Sequence, residues 1–265
     1  KLLHKPPFQI GAAMRGSKDE APPVWFMYLR AYGGEYVDAD WKPVFNNEAG
    51  VEALTAYTKI LHDAGPAGVA SWGFPDVTQA FGAGHVVHIL ESTPFAPDFE
   101  SESSPIRGKV GYAPIPAGPK GVGASVFCMS MAMNSRSQQK EAAWLFIQWV
   151  TSKELSKKST LMLARGDSPR ESTWSNPEVI AKWTELGLGE WASATLETMS
   201  QAVYPENSNP ADRTFEPSFP EYLQTRDALG VAISSVLAGA SEPKEALDKA
   251  AHTVTQILDE AGYFR

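Results

Sequence analysis

The chain has 265 residues, of which 43% are apolar and 20% charged, and its formal net charge is −8. That is the composition of a globular protein with a sizeable core, in one large domain or two smaller ones. No window is a long enough uncharged apolar run to cross a bilayer, and the acidic balance without any basic run argues against nucleic acid and anionic membranes as partners.

The opening "KLLHKPPFQIGAAM" has neither the basic head nor the cleavage site of a secretory signal, as a mature or truncated chain would also lack. "APPVWFMYLRAYGG" (21–34) predicts a helix that starts at Pro22-Pro23 and stops at Gly33-Gly34. Residues 46–65 predict a second helix, with Val51, Leu54, Tyr57, Ile60 and Leu61 on one face and Gly65-Pro66 at its end. A third runs from near Pro75 to near Gly82, and the apolar run Val86 to Leu90 reads as a buried strand.

Residues 101–109 are a polar loop, and Glu100 and Glu102, beside and within it, are expected to be solvated. A short strand near 110–113 precedes the Pro/Gly punctuation of "APIPAGPKGVGAS", and "SVFCMSMAM" (125–133) reads as another buried strand. Helices are expected over 137–152, which has a broad apolar face, and over 153–165. After a turn-rich loop at 166–173, helices are expected over 177–187, 191–203 and 221–238. The last helix has Ser241 as its expected N-cap, with Leu247, Ala250, Ala251, Val254, Ile257 and Leu258 on one stripe. Helices interspersed with short apolar runs predict an α/β sheet covered by helices.

Few motifs of catalysis are present. The single cysteine, Cys128, forbids an internal disulfide and reads as a packed thiol within an apolar run. His85 and His88 fall on opposite faces of a strand and cannot share a metal. "GPKGVGAS" (118–125) has its lysine before the glycines that a phosphate loop would place ahead of it, and no GxSxG occurs. The "RGD" at 165–167 has little weight. Glu91 is the one carboxylate at a strand terminus, whereas a glycosidase needs two at a defined separation.

The polar end of the 86–90 strand reads better as a binding surface. Ligands of open α/β sheets sit beyond the carboxyl ends of strands. Glu91, Ser92 and Thr93 supply the in-plane partners that sugar hydroxyls need. Tryptophans next to turn signals, Trp72 among them, supply rings for the apolar C–H faces.

Seven stretches, in order, carry a resemblance. They are "WFMYLRAYGGEYVD", "PVFNNEAGVEALTAYTKIL", "AFGAGHVVHILEST", "YAPIPAGPKG", "SVFCMSMAMNSRSQQKEAAWLFIQWVTSKE", "RGDSPREST" and "GASEPKEALDKAAHTVTQIL". Together they resemble the extracellular solute-binding proteins of ABC sugar importers, the group that includes maltose-binding protein. The resemblance implies a periplasmic-binding-protein-like type II α/β fold, two lobes joined by a hinge, with a sugar or polyol held in the cleft and passed to membrane permease subunits. It implies no catalysis, no cofactor, and a periplasmic or extracellular location, lipid-anchored in a Gram-positive source.

By the same resemblance "APPVWF" supplies stacking through Trp25 and Phe26, Ser125 and Phe127 stand where the family carries a Gly-Gly-Trp element, and Arg170 of "SPR" belongs to a turn at the cleft. Residues 1–124 and 176–265 would form the second lobe and 125–175 part of the first. The N-terminal part of the first lobe would be absent or supplied by a second chain, and the Pro/Gly crossing at 116–123 would be the hinge. The alternative is a carbohydrate-active enzyme such as a glycosidase or lyase, which a second carboxylate near Glu91 would favour.

Overall fold

Helices dominate the computed structural model, which describes residues 3–7, 9–127, 129–164, 168–202, 209–212 and 216–264. The chain divides into two compact units. The first comprises residues 1–91, 114–126 and 197–265, and the second 92–113 and 127–196. The expected division set 125–175 apart from the rest; the second unit instead joins 92–113 and 176–196 to most of that segment. The Pro/Gly stretch 116–123 lies within the first unit rather than at a point where the chain passes between units.

In the first unit, strand β1 (Ile10–Ala13) leads to helix α1 (Ala21–Ala31), whose prolines occupy the first turn. There the missing Pro N–H would have had no helical partner anyway. Gly33, at φ +80°, ends it. Helix α2 (Glu48–Ala64) begins at Asn47, whose side chain accepts from the Gly50 N–H at 3.0 Å. Helix α3 (Phe74–Gly82) and strand β2 (Val86–Ile89) follow. Leu29, Leu54, Tyr57 and Leu61 pack against Leu229 and Ile233 of α10 (Tyr222–Leu237) and Leu247, Val254 and Leu258 of α11 (Pro243–Glu260). The apolar stripe expected on the last helix is thus its buried face, apart from half-buried Ile257. Ser241 is not the N-cap: that position is Glu242, and the Ser241 hydroxyl is buried without a hydrogen-bond partner.

The strands β1 and β2 form a two-stranded parallel sheet in the register Ile10↔Val86, Ala12↔His88, Ala13↔Ile89. Ala13, Val77 and Val86 make a small core between this sheet and α3. The segment 116–123 lies on α1: the Lys120 N–H donates to the Ala31 carbonyl at 2.9 Å, and a Cβ on Gly123 would sit 1.9 Å from the Met27 carbonyl oxygen. Its glycines therefore serve close approach to a helix.

The second unit holds α4 (Ala96–Phe99), α5 (Lys140–Val150), α6 (Lys153–Leu163), α7 (Glu171–Trp174), α8 (Pro177–Glu185) and most of α9 (Gly189–Gln201). Its core is Ala96, Val179, Trp183, Leu188 and Trp191. The strands expected near 110–113 and 125–133 are not formed by the described residues. A strand needs a neighbour to accept its backbone hydrogen bonds, and among the described residues no segment supplies one there. Glu100 is not solvated but buried, accepting from the Gly108 N–H at 2.8 Å and the Tyr112 hydroxyl at 3.4 Å. Cys128 and "RGD" at 165–167 lie outside the described residues.

Candidate functional site

The parallel register explains what stands at the end of the sheet. Two residues beyond the pair Ala13↔Ile89 lie Arg15 and Glu91, brought opposite each other at the carboxyl ends of two neighbouring strands. Their side chains form a bidentate pair: Arg15 Nε donates to Glu91 Oε2 at 2.9 Å, and Nη2 donates to Oε1. The side chains of Arg15 and Glu91 are only 13% and 3% exposed, so the pair is shielded from water. Burial works against the Arg15 charge, but the hydrogen bonds and charge of Glu91, with Glu20 behind it, outweigh that and raise the guanidinium pKa further.

Glu20 completes the arrangement. One of its oxygens lies 3.9 Å from Arg15 Nη1 and accepts from the Phe74 backbone N–H at 2.6 Å. That places a carboxylate at the N-terminus of α3, where the helix dipole favours negative charge. Asp76 closes the same turn by accepting from the Gly73 N–H at 2.8 Å. The ring of Phe74 is held against the guanidinium, 5.4 Å from its centroid to the Arg15 carbon, yet 38% of the residue faces solvent.

The backbone under Arg15 is equally fixed. Its carbonyl accepts from the buried Tyr57 hydroxyl, the Gly16 N–H donates to the Trp72 carbonyl at 2.8 Å, and the Gly16 carbonyl accepts from Ser234 Oγ at 3.2 Å. Burial raises the Tyr57 pKa well above the usual phenol value, so its hydroxyl stays a donor at every physiological pH.

The predicted residues fall into three groups. Trp25 and Phe26 have no exposed surface and pack with Phe45, Tyr36 and Tyr222. The stacking role implied for them is corrected, because a fully covered ring offers no face to a ligand. Trp72 is half-buried between the large core of the first unit and the small one under the sheet. Ser125 accepts a hydrogen bond from buried Arg30. The carboxylate of Glu91 is committed to Arg15, not to Arg170, whose Nε donates to the Thr151 carbonyl.

Ser92, Thr93, Phe127 and Arg170 belong to the second unit. Ser92, Thr93 and Phe127 are exposed. Their surroundings include a feature that the sequence did not disclose, a triad of tryptophan rings. Trp174, Trp183 and Trp191 contact one another with centroids 5.0–5.7 Å apart. Each donates its indole N–H to a loop carbonyl: Trp191 to Thr93 at 3.1 Å, Trp174 to Ser168 at 2.9 Å and Trp183 to Ala164 at 3.3 Å. One apolar cluster thus anchors the loop after β2 and the loop that carries Arg170.

Arg15, Glu20 and Phe74 were not among the residues singled out by sequence. The available signal was a matched pair, a base two residues past one short apolar run and an acid two residues past another. Chemically, the cluster combines fixed charge, a guanidinium and a rigid aromatic face beyond two parallel strand ends. Glu20 is a second carboxylate near Glu91, and both are engaged with Arg15.

Residues 1–157 match the family model described as bacterial extracellular solute-binding protein. A probable amino-acid ABC transporter periplasmic-binding protein of Sinorhizobium fredii is 30% identical over 176 residues, 65% of this chain and 39% of that protein. An erythritol/L-threitol-binding protein of Mycolicibacterium smegmatis is 30% identical over 173 residues, 63% of this chain and 36% of that protein. A solute-binding protein of Agrobacterium radiobacter K84, solved with ribitol, superposes with a TM-score of 0.78 at 32% identity, covering 97% of this chain and 62% of that one. The chain thus spans about two fifths of these curated relatives and under two thirds of the solved one. Its helices and parallel strands have the periplasmic-binding-protein-like fold, and the chain belongs to the bacterial extracellular solute-binding proteins.

Proposed function

We propose that the complete protein binds a small carbohydrate, with a linear polyol as the favoured class, and delivers it to the permease of an ABC importer outside the cytoplasm. The observation that carries this reading is the Phe74 ring backed by Arg15 beyond the carboxyl ends of β1 and β2. A polyol needs an apolar face for its C–H groups, and the solvent-facing Phe74 ring, fixed by Arg15 behind it, offers one without rearrangement. The relatives solved or named with ribitol and with erythritol/L-threitol support the ligand class.

In this reading Phe74 touches ligand, and Glu91 acts through Arg15 by holding the guanidinium and the ring in place. The protein is a binding component without turnover, since both carboxylates of the cluster are engaged with Arg15.

The test is calorimetric titration of the complete protein with ribitol, erythritol and D-mannitol, comparing wild type with Phe74→Ala. Loss of one stacking face, worth about 1.4 kcal/mol, is expected to weaken binding about tenfold. Melting without ligand should change little, because the ring is partly solvent-facing. Undiminished affinity in Phe74→Ala would remove the cluster from the binding site.

A further inference from the structure

Glu20 serves a helix other than its own. It occupies the N-cap position of α1 but makes no capping hydrogen bond there. Its carboxylate reaches α3 instead, 54 residues on, where Oε2 accepts from the Phe74 N–H at 2.6 Å. The carboxylate lies against Gly73: a Cβ on that residue would stand 3.0 Å from Oε1 and 3.2 Å from Oε2. A glycine just before α3 therefore leaves the room that the carboxylate fills.

A helix N-terminus beside a guanidinium is an arrangement suited to a carboxylate or phosphate, because unpaired N–H groups and the positive end of the dipole point outward. Here the chain supplies the anion itself. The Phe74 N–H, first of α3, is taken by Glu20, and the next residue, Pro75, has no N–H to offer. Asp76 in the same turn accepts from the Gly73 N–H. Arg15 is bound bidentately by Glu91 and has Glu20 3.9 Å from Nη1. Beside the exposed Phe74 ring, Arg15, Glu20, Asp76 and Glu91 together carry one positive and three negative formal charges.

An uncharged polyol is indifferent to that balance, whereas a ligand ending in a carboxylate or phosphate meets like charge where its partner should be. Resting on the reading of Phe74 as the ligand's apolar face, we propose that Glu20 is a specificity-determining residue, which fills the anion-binding end of α3 beside Arg15 and so turns the site against acidic sugars. Removing its charge uncovers the α3 N-terminus and leaves Arg15 with one carboxylate fewer.

The test is calorimetric titration of the complete protein with three polyols and the acids in which one terminal carbon is a carboxylate: erythritol and erythronate, ribitol and ribonate, D-mannitol and D-mannonate. For the pair whose polyol binds tightest, wild type should prefer the polyol roughly 100-fold or more. Glu20→Gln keeps the side chain's length and an acceptor for the Phe74 N–H but drops the charge. It should bind the polyol within about threefold of wild type and narrow the preference about tenfold or more. Glu20→Asp, which keeps the charge, should hold the wild-type preference. The Glu20 side chain is 30% exposed, so both variants are expected to fold. Asp19→Asn, an equal change of charge at the exposed neighbouring position, should leave the preference unchanged. An acid bound by wild type as tightly as its polyol would overturn the proposal. So would an unchanged preference in Glu20→Gln, an equal shift in Glu20→Asp, or an equal shift in Asp19→Asn. Binding of none of the three polyols by wild type would sink the polyol reading itself, and this inference with it.

Discussion

Glu91→Gln is the substitution that most directly probes the cluster. It keeps the shape of the side chain and one acceptor, but removes the charge and turns an amide N–H₂ toward a guanidinium that can only donate. Hydrogen bonds to charged groups contribute roughly 1.5–3 kcal/mol each, and breaking a buried ion pair costs about 3–5 kcal/mol. Arg15 retains 13% side-chain exposure and the distant Glu20 carboxylate, so the loss falls below the top of that range, at about 2–4 kcal/mol.

Hydrogen exchange of the β1 and β2 peptides reads this as amides opening roughly 30-fold to 700-fold faster, at tenfold per 1.4 kcal/mol. Replacing both partners by apolar residues, Arg15→Met with Glu91→Leu, should cost less than the sum of the two single changes, because no charge is then left buried and alone. A change of under threefold in Glu91→Gln would show that Arg15 is held by something else, and the account of the strand ends would fail.

Other outcomes follow from particular contacts. Gly123→Ala drives a methyl group into the Met27 carbonyl and should cost at least about 2 kcal/mol in urea unfolding, whereas a free linker would tolerate it. Trp191→Phe removes the N–H that holds the Thr93 carbonyl; a stability loss of about 1 kcal/mol is expected by denaturant titration, together with faster exchange at 92–96. Alkaline titration should show stability intact up to about pH 10 and falling above it. Burial raises Tyr28 to about 12 and Tyr57 and Tyr222 higher still, so the unfolded chain ionises first and is favoured as pH rises. A melting temperature flat between pH 9 and 12 would contradict the burial of these phenols.

The helices were legible in the sequence because their signals are local. Pro22-Pro23, Gly33-Gly34, Gly65 and the stripes of α2 and α11 mark ends and faces without reference to the rest of the fold. Strand β1 was missed because four residues reading Ile-Gly-Ala-Ala carry no period and little β propensity. The run 125–133 was legible as apolar, but a strand exists only where a partner does, and pairing is a non-local property.

The burial of Trp25 and Phe26 was not legible for a related reason: an aromatic residue in the first turns of a helix looks the same in sequence whether its ring faces a core or a ligand. Arg15, Glu20, Phe74 and Glu91 meet only through the parallel register and the entry of α3, and Arg15 and its partner are 76 residues apart in sequence. The polar residue at the strand end was legible in the sequence, but not its partner. Its carboxylate turned out to hold an arginine.

The measurement that bears most directly on the central claim is calorimetric titration of the complete protein with a panel of polyols, sugars and L-amino acids, with each sample recovered and analysed for chemical change. The account predicts saturable one-to-one binding of at least one polyol or sugar, recovered intact. Binding confined to amino acids, or conversion of any carbohydrate to product, would contradict it.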